Sequence, residues 1–530
     1  MRSFLFPFYL LFVVIANAQE NLPKDYLGAD FHKDRRDELR KRMPDNSLVV
    51  LFAYPERVFS RDVSYVYHPN PDLYYFSGYK EPESMLLIFK EDQNVGGRSF
   101  NEIFFVRQRN PMEEVWTGRR LGVEGVKKEL GFKEVYNSGE FKNFALDLSK
   151  FNVIYDRMPD DAGAGMLANL MTSLKDKANV KDPGSRAVMG AYTVIRNNTN
   201  PANLPRRVNQ LKGMIANSGD EALKNDPLIN ELLSNPDSAT LVSVQQKLKN
   251  YNFPADDFHR LVAGLREIKT PEELALLRKS AFLSAVAHEE VMKAIQPNMS
   301  ETEIHGLFLY VHKKYGAEDE GYPPIVGAGG NGCILHYTEN NATKLDNQLV
   351  LMDVGSEYHG YSADVTRTVP ANGKFTKEQK AIYDLVYQAQ EEVFKICKEG
   401  TPFRDLNIRT TEVLAEGLLK LGIISQKSDV SQYYLHGVSH HLGLDVHDKY
   451  ITPTLKENMV ITVEPGIYIP KGSPCDKKWW DIAVRIEDDI VIGKTSYENI
   501  SAYAPRKSED VEKAVAKKSV VNDMVLPKMK

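Results

Sequence analysis

Acidic side chains that could hold metal ions stand out first in the C-terminal half of the sequence. Asp353 and Asp364 lie in the stretch LVLMDVGSEYHGYSADV, and the midpoint between them falls within the turn Tyr358–Tyr361. A symmetric hairpin would place the two aspartates opposite each other, which is destabilising unless something positive lies between them. Two turn-flanking surface aspartates are the alternative. The apolar flanking residues imply burial and favour a metal site.

A second pair of acids follows the same pattern. Glu464 in VEPG and Glu487 in RIED are each embedded in apolar sequence that predicts a second strand pair. Isolated buried carboxylates are costly. Four acids on two hairpins would supply the hard oxygen ligands that Mn, Co or Zn accept, and a shared carboxylate can hold two ions close together. A salt bridge from Glu487 to Arg485 is the alternative, but it would leave the other three acids unexplained.

Histidines are concentrated between the two predicted hairpins. The segment HGVSHHLGLDVHD contains His436, His440, His441 and His447, and His336 precedes the first hairpin. Any one of them could be an ordinary core histidine. The cluster, with glycines that allow close backbone approach, favours one metal ligand plus hydrogen-bond donors to a reacting carbonyl group.

Several of these stretches resemble aminopeptidase P of the pita-bread metallopeptidase family. The matching sequences in the C-terminal part are NGCILHYTEN, LVLMDVGSEYHGYSADVTRTVPANGKFT, HGVSHHLGLDVHD, VITVEPGIYI and VRIEDDIVI. Nearer the N-terminus, YHPNPDLYYFSGYKEPES and VWTGRRLG resemble the creatinase-like domain of the same family. The resemblance implies an α/β (α+β) fold, with a smaller N-terminal α/β domain and a pseudo-symmetric C-terminal catalytic domain.

The resemblance also assigns roles to residues. It implies five metal ligands, with Asp364 and Glu487 shared between two ions: Asp353, Asp364, His440, Glu464 and Glu487. It further implies residues that line the substrate site: His336, His436, His447, Arg485 and, from a neighbouring subunit, Trp116. The turn residue His359 matches no ligand position and is expected to matter little for catalysis.

The implied reaction is hydrolysis of the bond between an N-terminal residue and a following proline by a metal-bridging hydroxide. His447 would hydrogen-bond the developing oxyanion, His336 would orient the substrate, and Glu464 would carry a proton to the proline nitrogen. Two divalent ions are implied, with Mn preferred and Co or Zn acceptable. The implied partners are peptides with proline in the second position and further copies of the chain, as a dimer or tetramer.

Two other functions remain open on the sequence. An Xaa-Pro dipeptidase (prolidase) would share the fold and all five ligands. A non-catalytic binding protein on the same scaffold is a second alternative, although the intact ligand set argues against it. The acidic and basic residues are intermixed, with a formal net charge of -5 and no long basic stripe, which excludes a nucleic-acid partner.

The elements that must position these residues can be predicted from local patterns. Short apolar runs near the N-terminus predict strands at 48–53, 85–89, 103–106 and 153–155. Capping signals predict helices after Thr270, Ser300, Thr376 and Thr401. Each pair of helices is followed by a predicted hairpin, at 348–369 and at 458–492. This repeated order indicates two similar halves with the site between them.

Chain length and N-terminal composition set the predicted domain boundaries. A chain of 530 residues exceeds one typical core, which favours two domains. Arg2, the apolar run 4–15 and the sequence Ala16–Ala18 predict a signal peptide over 1–18 and export to a periplasm or the outside of the cell. The predicted divisions are an N-terminal domain (19–159), a helical insertion or linker (160–265), a catalytic domain (266–510) and a tail (511–530).

Overall fold

The computed structural model describes residues 25–523, apart from 157–158, 160–161, 163, 179–184, 199, 250 and 252. The predicted signal peptide and the final part of the predicted tail (524–530) lie outside the described residues. Among the helices that are described, none is long and apolar enough to cross a membrane.

A mixed five-stranded sheet forms the centre of the N-terminal part, in the order β6-β5-β4-β1-β7. The strands in this part are β1 (Ser47–Phe52), β2 (Val58–Ser60), β3 (Val63–Ser64), β4 (Met85–Val95), β5 (Arg98–Val106), β6 (Val135–Asn137) and β7 (Asn152–Tyr155). The helices are α1 (Ala29–Arg42), α2 (Pro71–Ser77), α3 (Pro111–Thr117) and α4 (Gly122–Leu130). The four strands predicted from apolar runs are confirmed, and fully buried β1 is an inner strand between β4 and β7.

Helices occupy the stretch for which an insertion or linker was expected. They are α5 (Gly165–Ala178), α6 (Arg186–Arg196), α7 (Leu204–Asn217), α8 (Glu221–Lys224), α9 (Pro227–Ser234), α10 (Ser238–Leu248) and α11 (Pro254–Arg266). Helices α6 to α10 surround their own small core, which includes Tyr192, Leu211 and Val244. In contrast, α5 and α11 pack against the core of the N-terminal sheet through residues such as Leu170 and Val262.

The C-terminal part repeats one arrangement twice: two helices followed by a hairpin. Its helices are α12 (Pro271–Ala294), α13 (Glu301–Lys314), α14 (Lys377–Phe394), α15 (Phe403–Lys420) and α16 (Ser508–Val515). Thr270, Ser300 and Thr376 each form the predicted capping box, which satisfies otherwise unpaired N–H groups at the helix start. Helix α16 extends past the boundary predicted at residue 510, because Val511 and Ala514 are buried in the core of this part.

The two hairpins carry the four acids and are both interrupted near them. The strands of this part are β8 (Asp319–Glu320), β9 (Ile325–Ala328), β10 (Leu349–Asp353), β11 (Ser356–Tyr358), β12 (Tyr361–Ser362), β13 (Thr366–Pro370), β14 (Val460–Val463), β15 (Gly466–Ile469), β16 (Ile482–Arg485), β17 (Asp488–Ile492) and β18 (Tyr497–Asn499). In the first hairpin β10 pairs with β13 and β11 with β12; in the second, β14 pairs with β17 and β15 with β16.

Candidate metal centre and substrate cavity

The register of the first hairpin differs from the symmetric arrangement expected from the sequence. Its turn is the two-residue loop His359–Gly360, and both residues have positive φ angles, 52° and 84°, as a type I′ turn requires. Asp353 therefore pairs with Thr366, two residues beyond Asp364. The expectation that the two aspartates directly face each other was wrong. A shift of two residues nevertheless keeps both side chains on one face of the hairpin, as diagonal neighbours.

The second hairpin brings its two glutamates into direct opposition. Strand β14 ends at Val463, which pairs with Asp488, the first residue of β17. Continuing that register by one residue places Glu464 opposite Glu487, in the interruption that separates β14 from β15 and β16 from β17. The break in the ladder leaves both glutamates beside the aspartates of the first hairpin.

Two residues that the sequence did not single out join the acids together: Tyr322 and Thr366. The hydroxyl oxygen of Tyr322 lies 2.5 Å from Asp353 Oδ1 and 2.6 Å from Asp364 Oδ1. The Glu487 N–H donates to the carbonyl oxygen of Thr366 at 3.1 Å, and the Thr366 hydroxyl donates to the Glu487 carboxylate. Neither residue type has a sequence signature here, because a buried hydroxyl looks like ordinary core packing until its partner is known.

His440 faces the acids from the segment between the hairpins. Its Nδ1 bonds to the carbonyl oxygen of His441 at 3.0 Å, which leaves Nε2 directed towards the carboxylates. Nε2 lies 3.3 Å from Asp364 Oδ2 and 3.5 Å from Glu464 Oε1. The backbone holds this ring in place, since the Thr462 N–H donates to the His440 carbonyl oxygen at 3.0 Å.

Burial and the neighbouring carboxylates together raise the pKa of two of these acids, Glu464 and Glu487. Burial, together with the charge of Asp364, raises the pKa of Glu464 to about 7, although His440 opposes this shift. Burial and the neighbouring carboxylates also raise the pKa of Glu487 well above its ordinary value. Bare carboxylates at such spacing are unfavourable unless positive charge is supplied.

The donor set fits divalent cations. Ligand atoms of Asp364, His440 and Glu487 all lie within 4.8 Å of one another. Carboxylate oxygens and one imidazole nitrogen are ligands that Mn, Co and Zn accept. The orientation of the free Nε2 of His440 towards the acids is also what a metal ligand requires. The site residues are therefore suited to the two-ion centre expected from the sequence.

Arg485 pairs with this acidic cluster, so its guanidinium nitrogens are not available to bind substrate. Its side chain is buried and donates from one terminal nitrogen to Asp353 Oδ2 at 2.6 Å and from the other to the Tyr468 hydroxyl at 2.8 Å. Its Nε donates to the Thr366 hydroxyl at 3.1 Å. Burial alone would raise the pKa of Asp353, but the charge of Arg485 outweighs burial and the pKa is lowered. The expected role of Arg485 in binding substrate directly is not what this geometry favours.

A cavity of about 510 Å³ opens over the acids. Apolar side chains that include Ile325, Leu335 and Val446 contribute to its walls. Nine of the ten site residues expected from the sequence line it: His336, Asp353, Asp364, His436, His440, His447, Glu464, Arg485 and Glu487. The cavity is large enough for several residues of a peptide and combines apolar walls with these polar groups.

The histidine cluster divides between the cavity and the core. The His447 ring lies 4.2 Å from the His440 ring, centroid to centroid, and His436 Nε2 lies 2.7 Å from the Tyr468 hydroxyl. His441 instead is buried away from the cavity and stacks on Tyr450 at 4.3 Å. His441 is therefore the core histidine that the sequence could not distinguish from its neighbours.

Trp116 is not part of the cavity within one chain. It lies on the short helix α3 and is 88% exposed to solvent. Met112 and Val115 on the same helix are also exposed. Ordinary core packing, the alternative explanation for this tryptophan, is therefore wrong.

His359 lies in the turn, as expected, but its side chain has buried contacts that the sequence did not indicate. Its side chain is fully buried, and its two ring nitrogens lie 2.9 Å from Glu318 Oε1 and 2.7 Å from Asp25 Oδ1. The ring of Tyr26 stacks on it with a centroid separation of 3.6 Å. This cluster fastens the tip of the first hairpin to the N-terminal segment, so His359 has a structural role.

Family models match both main parts of the chain. Residues 32–155 match the N-terminal domain of aminopeptidase P, and residues 275–494 match metallopeptidase family M24. The second match includes all five expected metal ligands, from Asp353 to Glu487.

Curated and solved relatives extend the match to nearly the full chain. An Xaa-Pro aminopeptidase of Escherichia coli (strain K12) is 33% identical over 493 residues, which cover 90% of this chain and 96% of the relative. An Xaa-Pro aminopeptidase of Haemophilus influenzae is 30% identical and covers 91% and 96%. The solved E. coli aminopeptidase P with the inhibitor Pro-Leu superposes with a TM-score of 0.72 at 29% identity, covering 92% of this chain and 98% of that one. The chain therefore belongs to metallopeptidase family M24, among its Xaa-Pro aminopeptidases.

Proposed function

We propose that this protein removes the N-terminal residue from peptides that have proline in the second position. The observation that carries the proposal is the convergence of carboxylates, one directed imidazole and further histidines on the wall of one cavity. Relatives across nearly the whole chain are named for this activity. The test is release of the first residue from an Xaa-Pro-Xaa peptide, its loss on chelation and its return when a divalent metal is added.

The proposed metal ligands are the four acids of the two hairpins together with His440. They are Asp353, Asp364, His440, Glu464 and Glu487, which all line the cavity, and Asp364 and Glu487 would be the two that both ions share. When bound, two divalent cations would supply a water of lowered pKa and a Lewis acid for the carbonyl oxygen. We propose Mn as the native metal, with Co or Zn as substitutes. Elemental analysis of the purified protein identifies the metal directly.

The remaining cavity residues have separable proposed roles. His447, beside His440, donates to the carbonyl oxygen as it gains negative charge, and His336 orients the substrate. His436, held by the Tyr468 hydroxyl, lines the wall that receives the proline ring.

Water adds to the carbonyl carbon and gives a proton to Glu464, the carbon–nitrogen bond breaks, and Glu464 passes that proton to the proline nitrogen that leaves. Proline offers no N–H at the scissile bond, so recognition cannot depend on that donor.

The basic side chains of the cavity distinguish this reaction from that of an Xaa-Pro dipeptidase. A dipeptidase must bind the carboxylate that directly follows proline, which calls for a fixed positive partner. Among the described residues that line the cavity, Arg485 is the one lysine or arginine, and its nitrogens are engaged with Asp353, Tyr468 and Thr366. The cavity therefore favours peptides that continue beyond proline.

We also propose that the enzyme acts as a homo-oligomer, a dimer or tetramer, in which α3 of one copy approaches the cavity of another. The support is the exposure of Trp116 together with Met112 and Val115, because large apolar side chains rarely cluster on a surface without a partner. In sedimentation experiments Trp116→Ala should weaken association. The variant should also raise KM for longer peptides.

Domain division and export are further proposals. We propose an N-terminal domain over 19–159, a helical insertion over 160–265 and a catalytic domain that begins at 266 and includes α16. The separate core of α6 to α10 supports an insertion. Export to a periplasm or out of the cell after cleavage behind Ala18 is tested by N-terminal sequencing of the mature protein, which should begin at Gln19.

A further inference from the structure

A group of seven charged residues, four of them buried, contacts the histidine segment outside the set of residues that line the cavity. It contains three cations and four carboxylates, and we refer to it as the Arg266 network: Asp72, Asp156, Arg266, Lys269, Asp445, Asp448 and Lys449. None of these residues lines the cavity of about 510 Å³. The reaction proposed above uses none of them, so the network needs an explanation of its own.

Arg266, the last residue of α11, is at the centre of the network. It is 1% exposed and donates to Asp72 Oδ1 at 2.6 Å and to Asp445 Oδ2 at 2.7 Å, and it also bonds to Asp448. Lys269 donates to the other oxygen of Asp448 at 2.6 Å. A planar guanidinium with a fixed fork of donors can hold several carboxylates in one geometry, which the ammonium of lysine cannot do.

The two aspartates that Arg266 holds flank the cavity residues of the histidine segment. Asp445 immediately precedes Val446 and His447, and Asp448 follows them. Val446 and His447 line the cavity, so the chain between the two ion pairs is the part that presents His447. Arg266 therefore binds the residues on both sides of the Val446–His447 pair.

Backbone hydrogen bonds also anchor the two flanking aspartates, but among the described residues none of these bonds involves Val446 or His447. The Asp448 N–H donates to the His441 carbonyl oxygen at 2.8 Å, and the Gly443 N–H donates to the Asp445 carbonyl oxygen at 3.1 Å. His447 itself is exposed within the cavity, and its ring contact is with His440. The position of the His447 ring thus depends on where Asp445 and Asp448 are held.

The network also connects this segment to the N-terminal part of the chain. Asp72, in the first turn of α2, accepts from Arg266 and, through its other oxygen, from Lys449 at 2.6 Å. Lys449 donates in addition to Asp156 Oδ2 at 2.8 Å. Because a buried charge that loses its partner is strongly destabilising, these contacts hold the N-terminal part, α11 and the histidine segment in one fixed arrangement.

We infer that Arg266 is a positioning residue for the peptidase reaction. It holds Asp445 and Asp448 and thereby fixes the position of His447 between them. The inference rests on the proposed role of His447 at the developing oxyanion. A shift of about 1 Å in such a donor can reduce turnover by about 100-fold, because the hydrogen bond is needed where charge develops. Substrate binding, which involves many other cavity contacts, depends on it less.

Two variants test this inference in the metal-loaded enzyme, with an Xaa-Pro-Xaa tripeptide as substrate. Arg266→Lys keeps the charge but loses the fork. Asp445→Ala removes one held end, and it should fold because the Asp445 side chain is 38% exposed and Arg266 keeps two other carboxylates. Both variants should lower kcat by about 10- to 100-fold while KM changes by less than about threefold and metal content is unchanged.

Arg36→Lys is the matched control. Arg36 is also a buried arginine, paired with Glu102 and with the Phe76 carbonyl oxygen, but it has no contact with the histidine segment. It should lower the melting temperature and leave kcat intact. An equal loss of kcat in Arg36→Lys and Arg266→Lys would overturn the inference, because both losses would then follow from lower stability alone.

A double-mutant cycle with His447→Ala separates the inference from the proposed function. If Arg266 acts through His447, Asp445→Ala should cost little further kcat once His447 has been removed. A full and independent loss in that background, or unchanged kcat in Asp445→Ala alone, would overturn the positioning role and leave His447 in place. Wild-type kcat in His447→Ala would instead refute the proposed role of His447, and the inference with it.

Discussion

Glu464 lies opposite Glu487 in the interruption of the second hairpin, one residue beyond the pair formed by Val463 and Asp488. Opposed carboxylates on neighbouring strands repel each other, and both residues have a raised pKa. The fold holds them there with hairpin pairing on both sides of the break. This placement is costly in the bare protein and suits a cation that both glutamates would bind.

The first prediction is that Asp364→Asn removes activity together with bound metal. Asp364 is proposed to be shared by both ions, and a neutral amide is a much poorer ligand for hard cations. Asp346→Asn is the control, since Asp346 is exposed in the same domain and its positive φ of 51° suits asparagine. Elemental analysis and kcat should both fall in Asp364→Asn alone. Full metal content in an inactive Asp364→Asn protein would contradict the assignment.

Tyr322→Phe should weaken metal binding without unfolding the protein. The Tyr322 hydroxyl bonds to both Asp353 and Asp364, and partners of ligating carboxylates typically contribute about 10- to 100-fold in metal affinity or activity. Calorimetric titration of the metal-free variant measures this loss. Because the aromatic ring is retained, the metal-free variant should still fold, with a melting temperature lowered only by the loss of these two hydrogen bonds. Unchanged metal affinity would show that the hydroxyl stabilises the two aspartates only in the metal-free protein.

The contribution of Glu318 to stability should disappear in acid. Burial alone would raise its pKa, but bonds from His359 and Tyr26 outweigh this and lower the pKa from 4.5 to about 2. A lowered pKa stabilises the folded state above the unfolded value, and this stabilisation is lost as pH falls from about 4.5 towards 2.

The measurement compares the free energy of unfolding of the metal-free protein with that of Glu318→Gln. The difference should be constant near neutral pH and should shrink between about pH 4.5 and pH 2. A difference that does not depend on pH would mean that the Glu318 carboxylate is not the source of the stabilisation.

Local patterns predicted the elements of the C-terminal part because the relevant signals are local. The capping boxes at Thr270, Ser300 and Thr376 formed as predicted, and so did the hairpins predicted at 348–369 and 458–492. The register of the first hairpin could not be predicted from symmetry, because the two-residue turn at His359–Gly360 moves every pair along the strand.

Contacts between segments that are distant in the chain could not be predicted from the sequence. The burial of His359 depends on Asp25 and Glu318, and the engagement of Arg485 depends on Asp353 and on Tyr468. Such partners become adjacent only in the folded chain. Residue type and spacing therefore indicated the cavity residues but not which of them are open to substrate.

The central claim is tested most directly by substrate length. The ratio of kcat/KM for an Xaa-Pro-Xaa tripeptide to that for the matching Xaa-Pro dipeptide should be one or greater in the metal-loaded enzyme, and N-acetylation of either peptide should abolish cleavage. The ratio is expected because the described cavity residues include no unengaged lysine or arginine that could bind a carboxylate next to proline. Efficient cleavage of the dipeptide with tripeptides nearly inert would contradict the account and identify a dipeptidase.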